Sequence, residues 1–357
     1  MSAEPIQDII ADFIWGPEEG DRQRLLSKFL AQCAHERYVL SKKKPQADAN
    51  IQSIINSIKS TPSLAKSAII SAHSETGEQS TIDCVVRMMF MTATKTDYTA
   101  FGGFVTVQWR KDETIVDYLD RVYPRLPVGG QQEQPVNTRH LRANVLMSQA
   151  GIRIKPTDKL SDHLYLIYGE DFKTLLVFSH RSFLEYSLKK LRADSIDLEH
   201  STAEAVVCGC LPPKLIIETL RTLDFLFPPF GDKKSKKFLN KWVNDGKLDS
   251  SLLNGAAYIS EEGQPPKDLL GLYEQYPYWG RRLTRLLREV EDPTPITWWQ
   301  RYTERGRSPR RMFECAVAAL IVTAFSAFVA TALAAVQVWV AYCDWDGAPS
   351  RSWCTTK

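Results

Sequence analysis

From Cys315 to Ala341 the chain reads CAVAALIVTAFSAFVATALAAVQVWVA, with no charged side chain and only Thr323, Ser326, Thr331 and Gln337 polar. A helix of that length rises about 1.5 Å per residue and reaches roughly 40 Å, enough to cross a hydrocarbon core of about 30 Å with some tilt. A helix buried in a soluble core rarely stays apolar on every face for so long. The segment 315–341 is therefore read as a transmembrane helix. It fixes where the chain resides and which way it faces, and it leaves open what the rest does.

The flanks set the orientation. Arg301, Arg305, Arg307, Arg310 and Arg311 crowd a basic juxtamembrane segment, 301–314, while Asp344 and Asp346 come first in the short tail 342–357. The positive-inside rule then keeps the long N-terminal part in the cytosol, and Trp339, Tyr342 and Trp345 stand where an aromatic belt marks the far interface. Residues Met1 to Gly20 hold five acidic side chains and no lysine or arginine, which is not how a secretory signal begins. With the span this near the carboxyl end, the expectation is a tail-anchored protein of the endoplasmic reticulum or another endomembrane. Cys33, Cys84, Cys208 and Cys210 would lie in reducing cytosol, whereas Cys343 and Cys354 would lie in the lumen, paired or free.

Outside the span the composition is that of an ordinary globular protein. A net charge of +3 is too small to argue for nucleic acid. The local runs Lys42-Lys43-Lys44 and Lys233-Lys234-Ser235-Lys236-Lys237 have no interleaved aromatics and read as solvated loops or helix ends. Apolar spacings of three and four predict helices over Arg22–Leu40 (Leu25, Leu26, Phe29, Leu30, Cys33), Ala49–Ile58 and Thr81–Ala93, with another starting at Thr61-Pro62. The middle is more mixed. Phe104–Trp109 alternates like a strand, Thr114–Val122 and Asn137–Ala150 read as helices, and Leu164–Tyr168 with Lys173–Phe178 read as a hairpin around Gly169-Glu170-Asp171. Helices follow at Arg181–Leu191, after Leu211-Pro212-Pro213 as far as Pro228-Pro229, and at Trp279–Val290. The fold class is mainly α, a helical body with a minor β-hairpin plus one C-terminal transmembrane helix. The organisation is an N-terminal helical bundle, 1–125, then a mixed, mostly helical part, 126–300, separate or continuous with the first.

Five phrases occur in order: AGIRIKPTDKLSDHL (Ala150 to Leu164), VFSHRSFLE (Val177 to Glu185), ETLRTLDFLFP (Glu218 to Pro228), PTPITWWQR (Pro293 to Arg301) and VQVWVAYCDW (Val336 to Trp345). Together they resemble a set of uncharacterised proteins of filamentous fungi with a helical cytosolic part and one span near the C-terminus. The resemblance covers roughly residues 20 to 345 and implies an origin and an architecture, not a reaction. Where this chain has Ser179-His180, such proteins often read His-His, so the resemblance carries no metal role here.

The body shows no GxSxG elbow, P-loop, GxGxxG fingerprint, HExxH or EF-hand loop. His163 and His180 flank the expected hairpin with Asp162 adjacent, and Cys208-Gly209-Cys210 is a close thiol pair. Neither supplies the three or four converging ligands of a zinc site or the Cys-X-X-Cys spacing of a redox helix. No residue is assigned a catalytic, cofactor-binding or metal-binding role. Two membrane features carry more. Ala319, Thr323, Ala327, Thr331 and Ala335 recur every fourth residue, beside a parallel row of Ser326, Ala330 and Ala334, a surface on which two spans pack closely. Arg281, Arg285 and Arg288, with Trp298-Trp299, form a face suited to an anionic leaflet. The expected partners are the lipid bilayer, cytosolic proteins and a second copy through the span, with no nucleic acid. The leading reading is a tail-anchored protein-interaction module. The alternatives are a membrane-tethered enzyme with a site of scattered residues around His163, His180 and Cys208, and an oligomerising signalling or membrane-perturbing protein.

Overall fold

A computed structural model describes residues 9–17, 22–41, 47–73, 79–92, 94, 107–127, 134–197, 199–228, 233–254, 265–295 and 309–344. The chain forms two compact units, Met1–Thr294 and Pro295–Lys357.

The first unit is mostly helical. Its N-terminal helices are α1 (Ile9–Trp15), α2 (Arg22–Leu25), α3 (Ser27–Ser41), α4 (Ala47–Ser60), α5 (Lys66–Ala72), α6 (Gln79–Phe90) and α7 (Ile115–Val122). Ile51, Ile54, Ile55 and Ile58 are all buried on one face of α4, as their spacing requires. Thr114 caps α7 by accepting a hydrogen bond from the Asp117 backbone N–H. The expected helix over Arg22–Leu40 breaks at Leu26, and Leu25 leaves the apolar stripe to stand exposed. The helix expected at Thr61-Pro62 starts instead at Lys66, with Pro62 in a turn. Lys66 is fully buried and pairs with Asp83 at 2.6 Å, a contact that fixes where α5 begins and that apolar spacing does not encode.

Next come α8 (Ala143–Ser148), β1 (Ile152–Thr157), β2 (Tyr165–Tyr168), β3 (Lys173–Phe178), α9 (Arg181–Ala193) and α10 (Thr202–Val207). The helix expected over Asn137–Ala150 is a 3₁₀ turn, Thr138–Leu141, and then α8, separated at Arg142, whose backbone is extended. The hairpin is present, with β2 antiparallel to β3 and Tyr165 opposite Leu176. It is two-thirds of a three-stranded sheet, because β1 pairs in parallel on the far side of β3, Ile152 opposite Lys173. Of the strand expected at Phe104–Trp109, Phe104 to Thr106 lie outside the described residues and Val107 to Trp109 is not a strand.

The unit closes with α11 (Pro213–Leu226), α12 (Lys233–Asn244), α13 (Ser251–Asn254), α14 (Leu269–Gln275) and α15 (Gly280–Glu291). Pro213 takes the first position of α11, where no backbone donor is needed. α11 packs against α9. Trp15, Phe29, Phe183 and Tyr186 stack with ring centroids 4.8–5.8 Å apart. The N-terminal helices and α9 therefore share one core across residue 125.

In the second unit, α16 (Pro309–Cys343) is a helix of 35 residues, about 52 Å long at 1.5 Å per residue. Its portion Val317–Cys343 is long and apolar enough to span a membrane.

Candidate functional site

The exposure of α16 distinguishes it from every other helix described. Leu320, Phe325, Phe328 and Val338 are 68, 68, 72 and 69% exposed, and none of the apolar window is buried. A core helix of a water-soluble protein hides such side chains, whereas monomers in water rarely expose a contiguous apolar surface beyond a few hundred Å². The hydroxyls along it turn inward. Thr323 donates to the Ala319 and Leu320 carbonyls, Ser326 to Val322, and Thr331 to Ala327, at 2.7–3.0 Å. Each of these three hydroxyls is thus satisfied within the helix, as hydrocarbon demands. The row Ala319, Thr323, Ala327, Thr331 and Ala335 is exposed throughout. At the far end Cys343 is disulfide-bonded.

The arginine face lies on α15. Leu283, Leu286, Leu287 and Val290 are buried, and Arg281, Arg285 and Arg288 are exposed. Arg285 stacks over the Tyr168 ring at 5.0 Å. Trp298 and Trp299 lie outside the described residues. The flank of α15 beside this face is fastened by polar contacts that the apolar pattern does not reveal. Glu289 forms a buried ion pair with Lys173 on β3 and accepts a hydrogen bond from the Tyr168 hydroxyl at 2.6 Å, while Arg282 donates to the Ser161 and His163 carbonyls.

The two histidines have different environments. His163 is fully buried. Its Nδ1 accepts from the Phe178 backbone N–H at 3.2 Å, so Nε2 carries the proton and donates to Thr222 Oγ1 at 2.7 Å. Burial, with nearby Arg282, holds its pKa well below the usual histidine range. Both ring nitrogens are thus engaged in hydrogen bonds within the core. His180 donates through Nε2 to Asp158 Oδ1 at 2.8 Å, and Ser179 Oγ donates to the same oxygen at 2.9 Å. These bonds, the one from His180 foremost, hold Asp158 down to a pKa of about 2. Ser179 and His180 therefore converge on a carboxylate and not on each other, so His180 is not placed to activate Ser179 as a nucleophile. Among the described residues no three His, Cys, Asp or Glu side chains converge as metal ligands.

Asp158 opens on a cleft of about 280 Å³ between α3, α6 and the end of β1. Its charged lining, Glu36, Asp158 and Asp162 against Arg87, Lys155 and Lys159, is balanced. Burial raises the pKa of Asp162. A second cleft of about 210 Å³ is lined by Lys214, Glu218, Arg221 and Glu274. Glu218 comes from α11, is 1% exposed, and accepts backbone hydrogen bonds from Tyr278 and Trp279 at 3.0 and 3.4 Å. It thus caps the start of α15 from another helix. Burial outweighs those two bonds and lifts its pKa to about 8.

Cys208-Gly209-Cys210 forms a helix stop. Gly209 N–H bonds Val206 O at 2.8 Å and Cys210 N–H bonds Ala205 O at 2.9 Å, with Gly209 at φ +71°: the two-bond glycine cap. Cys210 is fully buried and burial pushes its thiol up to about 12, so the neutral form dominates and the residue packs as a small hydrophobe.

Comparison with protein-family models, with curated proteins and with solved structures gave no match.

Proposed function

We propose that this chain is a single-pass membrane protein, held near its carboxyl end by α16 with the helical body on the cytosolic face of an endomembrane, where the body binds other proteins and does not catalyse a reaction. The observation that carries this reading is the unbroken apolar exposure of Val317–Tyr342, which water does not tolerate and lipid does. The arginines of 301–311 support a cytosolic N-terminal flank. A disulfide at Cys343 supports an oxidising compartment for the tail. The interaction reading draws support from the body, whose His163 and Cys210 are committed to structure. Self-association through the Ala319–Ala335 row belongs to the same proposal, as does contact of Arg281, Arg285 and Arg288 with anionic lipid.

The test is protease digestion of sealed microsomes from cells expressing the full chain with a C-terminal epitope. Loss of the body with retention of a protected fragment of span plus tail is expected. Protection of the body, or loss of the epitope without detergent, refutes the orientation.

A further inference from the structure

Of the two expectations for Lys233-Lys234-Ser235-Lys236-Lys237, a solvated loop or a helix end, the fold gives the helix end, with the four lysines exposed. On α12, Ser235 and Leu239 are buried, and α8 and α13 pack against the helix. Asn144 on α8 donates its backbone N–H to Ser235 Oγ at 3.3 Å. Phe238 and Trp242 stack on each other at 4.4 Å, half-buried. Lys233, Lys237 and Lys241 follow at intervals of four on the opposite side, flanked by Lys234 and Lys236, all exposed. This stripe spans about 12 Å along the axis at 1.5 Å per residue.

The arrangement opposes the helix's own electrostatics. Four lysines stand in the first five positions, and the first turn holds no acidic residue. Cations there face the positive end of the helix dipole. Lys233–Lys237 and Lys237–Lys241 are like-charge neighbours, which repel. Among the described residues no acidic partner faces Lys233, Lys236, Lys237 or Lys241. The acidic residues nearest in sequence are Asp232, outside the described residues, and Asp245, which pairs with Lys247.

We infer that this lysine face of α12 docks on the anionic phospholipids of the cytosolic leaflet. The inference rests on the membrane anchor proposed above, which tethers the body to a bilayer by its own chain, so that weak surface charges act at high effective concentration. Each surface lysine contributes about a fivefold gain in partition onto an anionic leaflet. A nucleic acid is a poorer fit, because Phe238 and Trp242 are spent on each other and leave no exposed stacking platform.

The test uses the full chain in nanodiscs of phosphatidylcholine alone or with about one-third phosphatidylserine, read by the rate of lysine acetylation at each site. Lys233, Lys236, Lys237 and Lys241 are expected to react several-fold more slowly on the anionic discs and to recover in high salt. Lys111, exposed on the loop before α7, is expected to react equally on both. In the triple variant Lys233→Gln/Lys237→Gln/Lys241→Gln the protection of Lys236 is lost, since partition falls by about a hundredfold. Equal rates on both discs, slowing of Lys111 to the same degree, or protection by added RNA or an acidic polypeptide in place of phosphatidylserine overturns the inference while leaving the anchor intact. Failure of the chain to incorporate into either disc refutes the anchor, and the lipid docking with it.

Discussion

Replacing Glu218 by glutamine should abolish most of a pH dependence built into the core. In the fold Glu218 ionises at about 8, against 4.5 for an unperturbed glutamate, and it is 1% exposed. Between those values the folded chain keeps the proton and the unfolded chain has lost it. Unfolding then releases a proton, and rising pH favours the unfolded state by about 1.4 kcal/mol per pH unit. The stability contributed by the neutral carboxyl is complete below pH 4.5 and has gone above about 8; over that interval the loss is about 5 kcal/mol. Glu218→Gln preserves the acceptor for the Tyr278 and Trp279 N–H groups and removes the titration. The assay is urea unfolding of the full chain in a mild detergent, followed by tryptophan fluorescence at pH steps from 5 to 8. Buried His163, held below the usual histidine range, raises the stability of both proteins alike as pH climbs towards 6.5, so the difference is what is read: wild type should lose several kcal/mol relative to the variant across the series and be the less stable of the two at pH 8. Equal slopes for the two proteins would show that Glu218 is not the group that titrates, and the capping account of α15 would fail with it.

Lys66→Met should cost about 3–5 kcal/mol, because it strands the buried Asp83 carboxylate, whereas Lys66→Met with Asp83→Leu should lie near wild type; the same urea assay yields the coupling. Gly209→Ala should destabilise by more than about 1 kcal/mol, since the added methyl would sit 2.6 Å from the Ile14 carbonyl oxygen at φ +71°. Ser195 occupies the equivalent left-handed cap of α9 at φ 58°, so Ser195→Gly should stabilise by about 1 kcal/mol, seen as a higher urea midpoint. Ala327→Leu with Thr331→Leu should reduce cross-linked dimer in membranes if the small-residue row is a packing face, and an unchanged dimer yield would remove that role.

What the sequence reveals here is set by the range of the interaction. Helices with strong periodicity, such as α4 and α11, and the apolar α16 are legible because each face is written into consecutive residues. β1 is not legible because Ile152-Arg153-Ile154-Lys155 is short and its partner residues on β3 lie twenty-one positions on; parallel pairing has no adjacent turn to announce it. The start of α5 depends on Lys66–Asp83, a contact between distant positions that no local spacing encodes, whereas the start of α15 falls within one residue of the expected Trp279. The candidate chemistry changed for the same reason. His163 and His180 do flank the hairpin, but Thr222 and Asp158 claim them separately. Cys208-Gly209-Cys210 proved to be a backbone cap whose signal was the glycine, not the thiols. The lysine run was visible, and only its placement on one side of a packed helix gives it direction.

Residence of α16 in lipid underlies every placement proposed for the body, and alkaline carbonate extraction of cell membranes measures it directly. The full chain is expected to stay in the membrane pellet, as an integral span does; recovery of the intact chain in the supernatant would contradict the anchor and every placement that depends on it.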